Sequence, residues 1–399
     1  MSRFPKITET FILYEILALR RRGYDVRIYP LLRERGQLVH PDAEPLVAEA
    51  RYLPFLSGSI VRSHLHFMGR RPRAYFGALR ALLQGTLGSR RFFAGAIVFF
   101  PKTVHAARLM EAEGIEHVHC HFASHPAAAG FVIHRLTGIR YSFTAHGSDL
   151  HVDRHMLCQK LSEASFVVGI SEDNRQLIGN ECGEQALEKT VVVHCGVDTD
   201  VFGPQSGSRV GQRLRIICVG TLHEVKGQTY LVEACRRLAK AGVDFECRLV
   251  GTGPDRPKLE RQIEAAGLAD RISLLGARTR EEIASLLKDA DVLVAPSVPT
   301  ARGSREGIPI VLMEAMSGAL PVVASRLSGI PELVEDGRSG VLVAPRDAAG
   351  IADALAALAR DPARRAALGR AGRETVLRDF DLTKNAARLG ALFQAGKAA

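Results

Sequence analysis

No uninterrupted apolar run reaches the roughly 18 residues of a membrane-spanning helix, so none is expected. The opening residues, Met-Ser-Arg-Phe-Pro-Lys, have no apolar core of secretory type, and no signal peptide is expected. There are seven cysteines, an odd number, and no Cys-x-x-Cys pair among them. Cys218, Cys235 and Cys247 fall inside apparent strands or helices. Reduced, mostly buried thiols in a cytoplasmic protein are therefore expected. No Gly-x-Gly-x-x-Gly opens the chain's first helix after a strand, which argues against a nicotinamide oxidoreductase. Finally, there is no aspartate or glutamate from Tyr52 to Met110.

That acid-free stretch carries nine cations, from Arg62 to Arg108 and including Lys102, interleaved with aromatics such as Phe55, Phe76 and Phe99. Basic amphipathic segments of this kind lie on anionic membrane surfaces. Basic-plus-aromatic composition also suits single-stranded nucleic acid, the least favoured partner here. A plain helical pair with solvated arginines fits equally. The remaining composition is that of a globular α/β protein: 399 residues, enough for two domains, 46% hydrophobic, 24% charged and a net charge of +10. The positive balance suits nucleotides or membrane surfaces.

The most informative stretch runs from Ser304 to Gly318. Before it, Asp291–Ser297 reads as a short buried strand. Pro309 is expected as the first helical residue and Gly318 as the residue closing the helix. Glu306 then sits in the strand-to-helix loop and Glu314 inside the helix, two carboxylates at different depths of one crevice. Ligands of open α/β sheets bind at that end of the strands, and a helix start favours an anion. A second loop, Gly220-Thr-Leu-His-Glu-Val-Lys226-Gly227, follows a strand from Leu214 and precedes a helix from Gln228. A third, Gly251-Thr-Gly253, follows the strand after that. Arg271–Glu282, with Arg278, reads as a wall beside them.

Earlier in the chain, Ser2–Lys6 reads as a loop, Thr8–Gly23 as a capped amphipathic helix and Tyr24–Pro30 as a strand. A doubly wound fold wants a strand ahead of that helix, so a strand upstream of Met1 is expected. His117, His119 and His121 alternate along a strand and share one face. Zinc binding by them is disfavoured for want of a fourth ligand; core or crevice histidines holding backbone groups are preferred. His146 ends the next strand. Ser171 is expected to cap a helix, and Asp198-x-Asp200 reads as a turn. Residues 205–211 read as a linker.

Glu306 and Glu314, with the residues that follow to Pro345, resemble the Glu-x7-Glu signature of retaining family-4 glycosyltransferases of the GT-B fold. Gly220 to Gly227 resembles that family's phosphate loop, with Lys226 matching its lysine and Thr221 standing where relatives have arginine; Arg302 or Arg305 is expected to compensate. Tyr141 to Leu150 resembles its Thr-x-His segment, and Asp379 to Leu389 its C-terminal helix. The resemblance implies two Rossmann-like doubly wound domains around an inter-domain cleft: an acceptor domain over 1–204, a nucleotide-sugar domain over 205–375 and a helix over 376–399 crossing back onto the first. It assigns catalysis to Glu306, His146 and Lys226. Donor binding falls to Glu314, Lys226, Thr221, Gly307, Ile308, Ile310, Gly253 and Arg278. Glu314 would hold the ribose and His146 would meet the transferred sugar.

The function implied is retaining, hexosyltransferase-type transfer from a UDP- or GDP-sugar to a glycan or lipid-linked acceptor, in extracellular polysaccharide or cell-envelope glycan synthesis. No metal and no cofactor beyond the nucleotide-sugar are expected. The location implied is cytoplasmic, peripheral on the inner face of the plasma membrane through residues 52–110. A non-hydrolysing nucleotide-sugar epimerase and a catalytically dead GT-B binding protein are the alternatives. Donor consumption with and without acceptor separates them.

Overall fold

The computed structural model describes residues 1–6, 9–34, 40–151, 153–204, 213–301 and 303–395. The chain divides into two compact units, Met1–Val193 with Ala386–Ala399, and His194–Asn385.

The first unit opens with β1 (Arg3–Phe4), α1 (Thr10–Arg21) and β2 (Leu32–Arg33), then α2 (Glu44–Glu49) and three longer helices, α3 (Gly58–Arg70), α4 (Pro72–Thr86) and α5 (Arg90–Ala112). There follow β3 (His117–His121), α6 (His125–Thr137), β4 (Arg140–Ala145), α7 (Ser148–His151), α8 (Leu157–Glu163), β5 (Phe166–Gly169), α9 (Glu172–Cys182), α10 (Glu184–Lys189) and β6 (Thr190–Val192). Strands β3 to β6 form a parallel sheet in that order. Strands buried on both faces need continuous apolar runs, and Phe166, Val167 and Val168 supply one. Local chemistry sets the helix ends. Ser171 accepts from Asn174 N–H at 3.1 Å and starts α9 as expected, while Gly138, in the left-handed region, stops α6. Phe67, Phe131, Leu136, Tyr141 and Phe143 fill the core.

The structure corrects several sequence expectations here. Arg3–Phe4 is not loop but pairs in parallel with β2. Tyr24–Pro30 forms no strand, because it finds no partner strand among the described residues. Two of its carbonyls are satisfied elsewhere: Val26 accepts from Arg20 Nη2 at 2.7 Å and Ile28 from Arg51 N–H at 2.8 Å. A cavity of about 750 Å³ lies against both this run and β3. The cap expected at Thr8 lies outside the described residues, as do Arg302 and the linker. Lys102 is not a solvated cation; its Nζ donates to the Leu31 carbonyl at 2.6 Å and sits over the Phe55 ring. Nor are all cysteines reduced: Cys158 and Cys182 form a disulfide, because α8 and α9 bring their Cα atoms to 5.1 Å across 24 residues. The other five are free and buried.

The second unit alternates strand and helix: β7 (Leu214–Val219), α11 (Gln228–Lys240), β8 (Phe245–Val250), α12 (Arg256–Ala265), β9 (Ile272–Gly276), α13 (Arg280–Lys288), β10 (Val292–Ala295), α14 (Ile310–Ser317), β11 (Val322–Ser325), α15 (Ile330–Leu333) and β12 (Val341–Val343). Three helices close it: α16 (Ala348–Arg360), α17 (Pro362–Asp379) and α18 (Leu382–Ala395). The sheet is parallel, in the order β12-β11-β10-β7-β8-β9. The chain therefore winds outward from β7 through β9, then returns to the other side of β7 at β10. That reversal leaves a crevice at the carboxyl ends of β7 and β10. At the amino ends, Arg215 ties Asp289 and Asp291 at 2.9 Å each. Helix α18 begins in this unit and ends in the first, where Leu389 is buried with Leu19, Phe166 and Val168, and Gly390 accepts from the Tyr24 hydroxyl at 2.8 Å.

Candidate functional site

Three loops meet at the switch point of the second unit. The loop after β7 runs Gly220–Gly227, that after β8 starts at Gly251, and that after β10 covers 296–309. They are joined by backbone: Leu222 N–H donates to Thr252 O at 2.9 Å, and Val298 N–H to Val225 O at 2.9 Å. Glycine is required where they touch. A Cβ on Gly253 would lie 2.3 Å from the Leu222 oxygen, and one on Gly251 2.0 Å from the Gly220 oxygen. Gly253, expected to contact donor, thus has a packing reason to be glycine.

Lys226 ends a single 3₁₀ turn after β7, and its Nζ meets Glu306 Oε2 at 2.6 Å. These two residues, 80 apart in sequence, are brought together by the adjacency of β7 and β10. Their side chains are 22% and 18% exposed, so an entering anion can reach the ammonium. Thr221 is exposed, and its carbonyl accepts from Gln228 Nε2 at 3.0 Å. Arg278 is exposed ahead of α13, 3.9 Å from Glu282.

Glu306, Gly307 and Ile308 lie in the loop before α14, as expected. The helix starts one residue later than expected, at Ile310. Pro309 has a helix-compatible φ of −61° but an extended ψ of 127°, and so becomes the N-cap. The N–H groups of Gly307 and Ile308 take no hydrogen-bond partner among the described residues. Together with the start of α14, where Leu312 N–H alone turns back to the Pro309 carbonyl at 3.0 Å, they form a row of donors with a positive dipole end. Gly318 follows the last helical residue, but the left-handed position falls on Ala319, at φ 57°.

Glu314, on the second turn of α14, is pushed up to about 7 by burial, opposed by the Arg280 guanidinium. Arg280 was visible in the sequence only as part of a wall. It stands in the first turn of α13, which the capping box of Thr279 and Glu282 fixes, 3.6 Å from Asp198 and over the Phe202 ring. That box was the available signal. Asp198 also accepts from the N–H groups of Asp200 and Val201, the turn expected there.

His146 belongs to the first unit, immediately after β4. Its N–H donates to Asp149 Oδ1 at 2.9 Å, and its ring lies against Phe11 and Phe122 with centroids at 4.9 and 4.7 Å. Burial pushes it down to about 3, so the ring is neutral at physiological pH. His117 and His119 hold the Ser142 hydroxyl at 2.7 and 2.8 Å, and His119 also holds Thr144 at 2.9 Å. They hold hydroxyls of the next strand rather than backbone. Ligand atoms of Glu15, His119 and His121 come within 4.8 Å of one another, yet His119 spends both ring nitrogens on those hydroxyls. That leaves a cation too few ligands.

Two parallel α/β units, one with donors and a cation gathered at its switch point, define the GT-B class. Residues 8–201 match the family described as Glycosyltransferase Family 4, and residues 213–361 match Glycosyl transferases group 1. The amylovoran biosynthesis glycosyltransferase AmsK of Erwinia amylovora is 31% identical over 376 residues, 90% of each chain. The putative colanic acid biosynthesis glycosyltransferase WcaL of Escherichia coli (strain K12) is 41% identical over 209 residues, 52% of each chain. The chain thus spans about half the length of that relative in the match. Among solved structures, Anabaena Alr3699/HepE, in complex with UDP, shares the fold with a TM-score of 0.64 at 20% identity, over 74% of this chain and 82% of that one. The chain belongs to the family-4 glycosyltransferases.

Proposed function

We propose that the protein moves a sugar from a nucleotide-sugar donor to a glycan or lipid-linked acceptor, retaining anomeric configuration and using no metal ion, in extracellular polysaccharide or cell-envelope glycan synthesis. The observation that carries this is the meeting of Lys226 with Glu306 beside the N–H groups before α14, which are unpartnered among the described residues. As the sugar–phosphate bond breaks, the leaving diphosphate gains negative charge and the anomeric carbon positive charge. Lys226 and the start of α14 offer fixed donors to the first. Glu306, released from Lys226 by the arriving phosphate, faces the second. Glu314, once ionised, accepts from the vicinal ribose hydroxyls. His146 meets the transferred sugar. The names of the Erwinia and Escherichia relatives support a polysaccharide pathway.

No helix among the described residues is long and apolar enough to cross a membrane. Contact with the inner face of the plasma membrane would come through α3 to α5. Eight of the ten large apolar side chains exposed among the described residues lie between 52 and 110, Leu56 just ahead of α3 at 87% and Leu87 between α4 and α5 at 70%. Arg70, Arg73 and Arg80 are exposed in the same segment. Apolar insertion beside arginine suits anionic lipid.

The deciding experiment is thermal stabilisation against a panel of nucleoside diphosphates and their sugars in EDTA. Selective stabilisation by one base and its sugar supports a metal-free donor site. No response to any of them removes the proposal and points to a dead fold or to a phosphate loop disabled by Thr221 in place of arginine.

A further inference from the structure

The cavity of about 750 Å³ beside β3 is too large to be a packing defect. Domain interiors hold few voids bigger than a water molecule, and this one has room for on the order of twenty waters. Two of its walls are main chain. At the end of β3, Phe122 N–H donates to Thr144 O at 2.8 Å, which fixes the alternation of the parallel ladder. Val118 and Cys120 therefore give their backbone groups to β4. Those of His117, His119 and His121 lie on the other edge, where these residues line the cavity, and they take no partner among the described residues.

Tyr24–Pro30 lines the same cavity. There the Val26 and Ile28 carbonyls are taken, but no backbone group of Asp25, Arg27 or Tyr29 has a partner among the described residues. Both rows of open groups thus fall on alternate residues, the repeat of an extended chain. A small ligand is recognised by a few convergent polar groups, whereas two lines of alternating N–H and C=O groups are complemented by a strand. Apolar side chains from the surrounding helices complete the lining, among them Ile16 and Leu19 of α1, Met110 of α5 and Ile133 of α6. Two buried polar atoms of the lining residues, Glu15 Oε1 and His117 Nδ1, have no hydrogen-bond partner among the described residues.

Strand β1 already shows the direction such a chain takes. It pairs in parallel with β2, Arg3 beside Leu32, and the contact continues back to Met1, whose carbonyl accepts from Leu31 N–H at 3.2 Å. Carried further back, the same ladder runs along Tyr29, Arg27 and Asp25. Met1 itself lines the cavity, and burial holds its amine below the ordinary range. A peptide N–H at that point carries no charge to desolvate.

We propose that this cavity is the seat of a β-strand: an extended, mainly apolar segment of about six residues, roughly 20 Å long, that leads into Met1 and hydrogen-bonds to Tyr24–Pro30 on one side and to His117–His121 on the other. It extends β1 backward and joins Tyr24–Pro30 to the sheet of β3 to β6. Tyr24–Pro30, which alternates like a strand, thereby gains a pairing partner. Strands enclosed on both faces are continuously apolar, so the middle of the segment carries no charge. The inference is independent of the transfer reaction.

The test compares the full chain as it stands with two extended forms. In one, Met1 is preceded by Lys-Val-Val-Ala-Val-Val after a new initiator methionine; in the other, by Lys-Gly-Ser-Gly-Ser-Gly. Amide hydrogen exchange is read at His119, His121, Arg27 and Tyr29, with Tm alongside. The valine form should slow exchange on both walls by at least about tenfold against the glycine–serine form and raise Tm by about 5 °C or more. Equal exchange in the two extended forms overturns the proposal. So does protection of one wall alone, since a seated strand touches both. Equal protection by the acetylated valine peptide added free at one equivalent also overturns it, because the cavity is then a groove for separate chains. Should the valine form not fold, the unextended chain decides: fast exchange at His119 and His121 upholds an open edge, and protection equal to that within β4 ends the proposal.

Discussion

The carboxyl ends of β7 and β10 carry an ammonium and a carboxylate in contact, with a second carboxylate one helical turn deeper. The carboxyl ends of β3 and β4 carry two imidazoles that burial keeps uncharged, packed among phenylalanines. The two sheets share a parallel architecture, and each places its reactive side chains where strands give way to loops. They differ in how those side chains are solvated. In the second unit, partial exposure lets charge be exchanged for a ligand's charge. In the first, desolvation removes charge, leaving hydrogen bonding as the only polar chemistry. A diphosphate needs the former, and a sugar hydroxyl is served by the latter.

The comparison breaks most sharply at Lys226. Lys226→Ala should lower transfer by about a hundredfold or more, the usual cost of losing a donor aimed at developing charge. An unaltered steady-state rate would mean that the charged crevice is not where the bond breaks. The arginines of α3 and α4 test whether the first unit uses charge elsewhere. Replacing Arg70, Arg73 and Arg80 together should weaken binding to anionic vesicles by about fivefold per charge at low salt, since each is worth about 1 kcal/mol near such a surface. Co-sedimentation that ignores both the substitutions and ionic strength would leave these as solvated side chains. Arg71 is omitted because it is tied to Glu111 and to the Leu136 carbonyl.

Glu314→Ala should weaken nucleotide-sugar binding about tenfold to a hundredfold, the worth of charged hydrogen bonds. Calorimetry showing undiminished affinity would remove its ribose role. The smallest effect concerns stability. The Glu314 carboxyl ionises near 4.5 when unfolded and about 7 when folded. The folded state therefore binds the proton more tightly. Stability contributed by the protonated group is present below pH 4.5 and is lost as pH rises toward 7. Glu314→Gln does not titrate, so its Tm should exceed that of wild type at about pH 8, and the difference should vanish at about pH 4. Equal pH profiles would show that Glu314 is better solvated than its place on α14 implies.

What could be read from sequence alone was whatever is encoded locally. The β10–loop–α14 passage, the glycine loops and the cap at Ser171 all depend on neighbours within a few residues. Even the error at Pro309 was a single residue, because φ is fixed by its ring and ψ is not. What escaped the sequence depends on distant partners. Lys226 and Glu306 were joined in one site only through the family resemblance, and nothing near Lys102 announces the Leu31 carbonyl that removes it from the basic surface. The alternation of Tyr24–Pro30 is that of a strand, but a strand also needs a pairing partner. The joining of Cys158 to Cys182 follows from the packing of α8 on α9, which an odd cysteine count hides.

The glycine contacts between the loops after β7 and β8 also say how such a site can diversify. At Gly251 and Gly253 main chain rests on main chain with no room for a methyl group, so the rim keeps one outline whatever side chains it bears. Thr221 stands on that rim, exposed and anchored through its carbonyl rather than its side chain. Exchanging the residue there alters charge without altering shape. Such a position is a socket: its side chain can be exchanged while the backbone outline beneath it stays fixed.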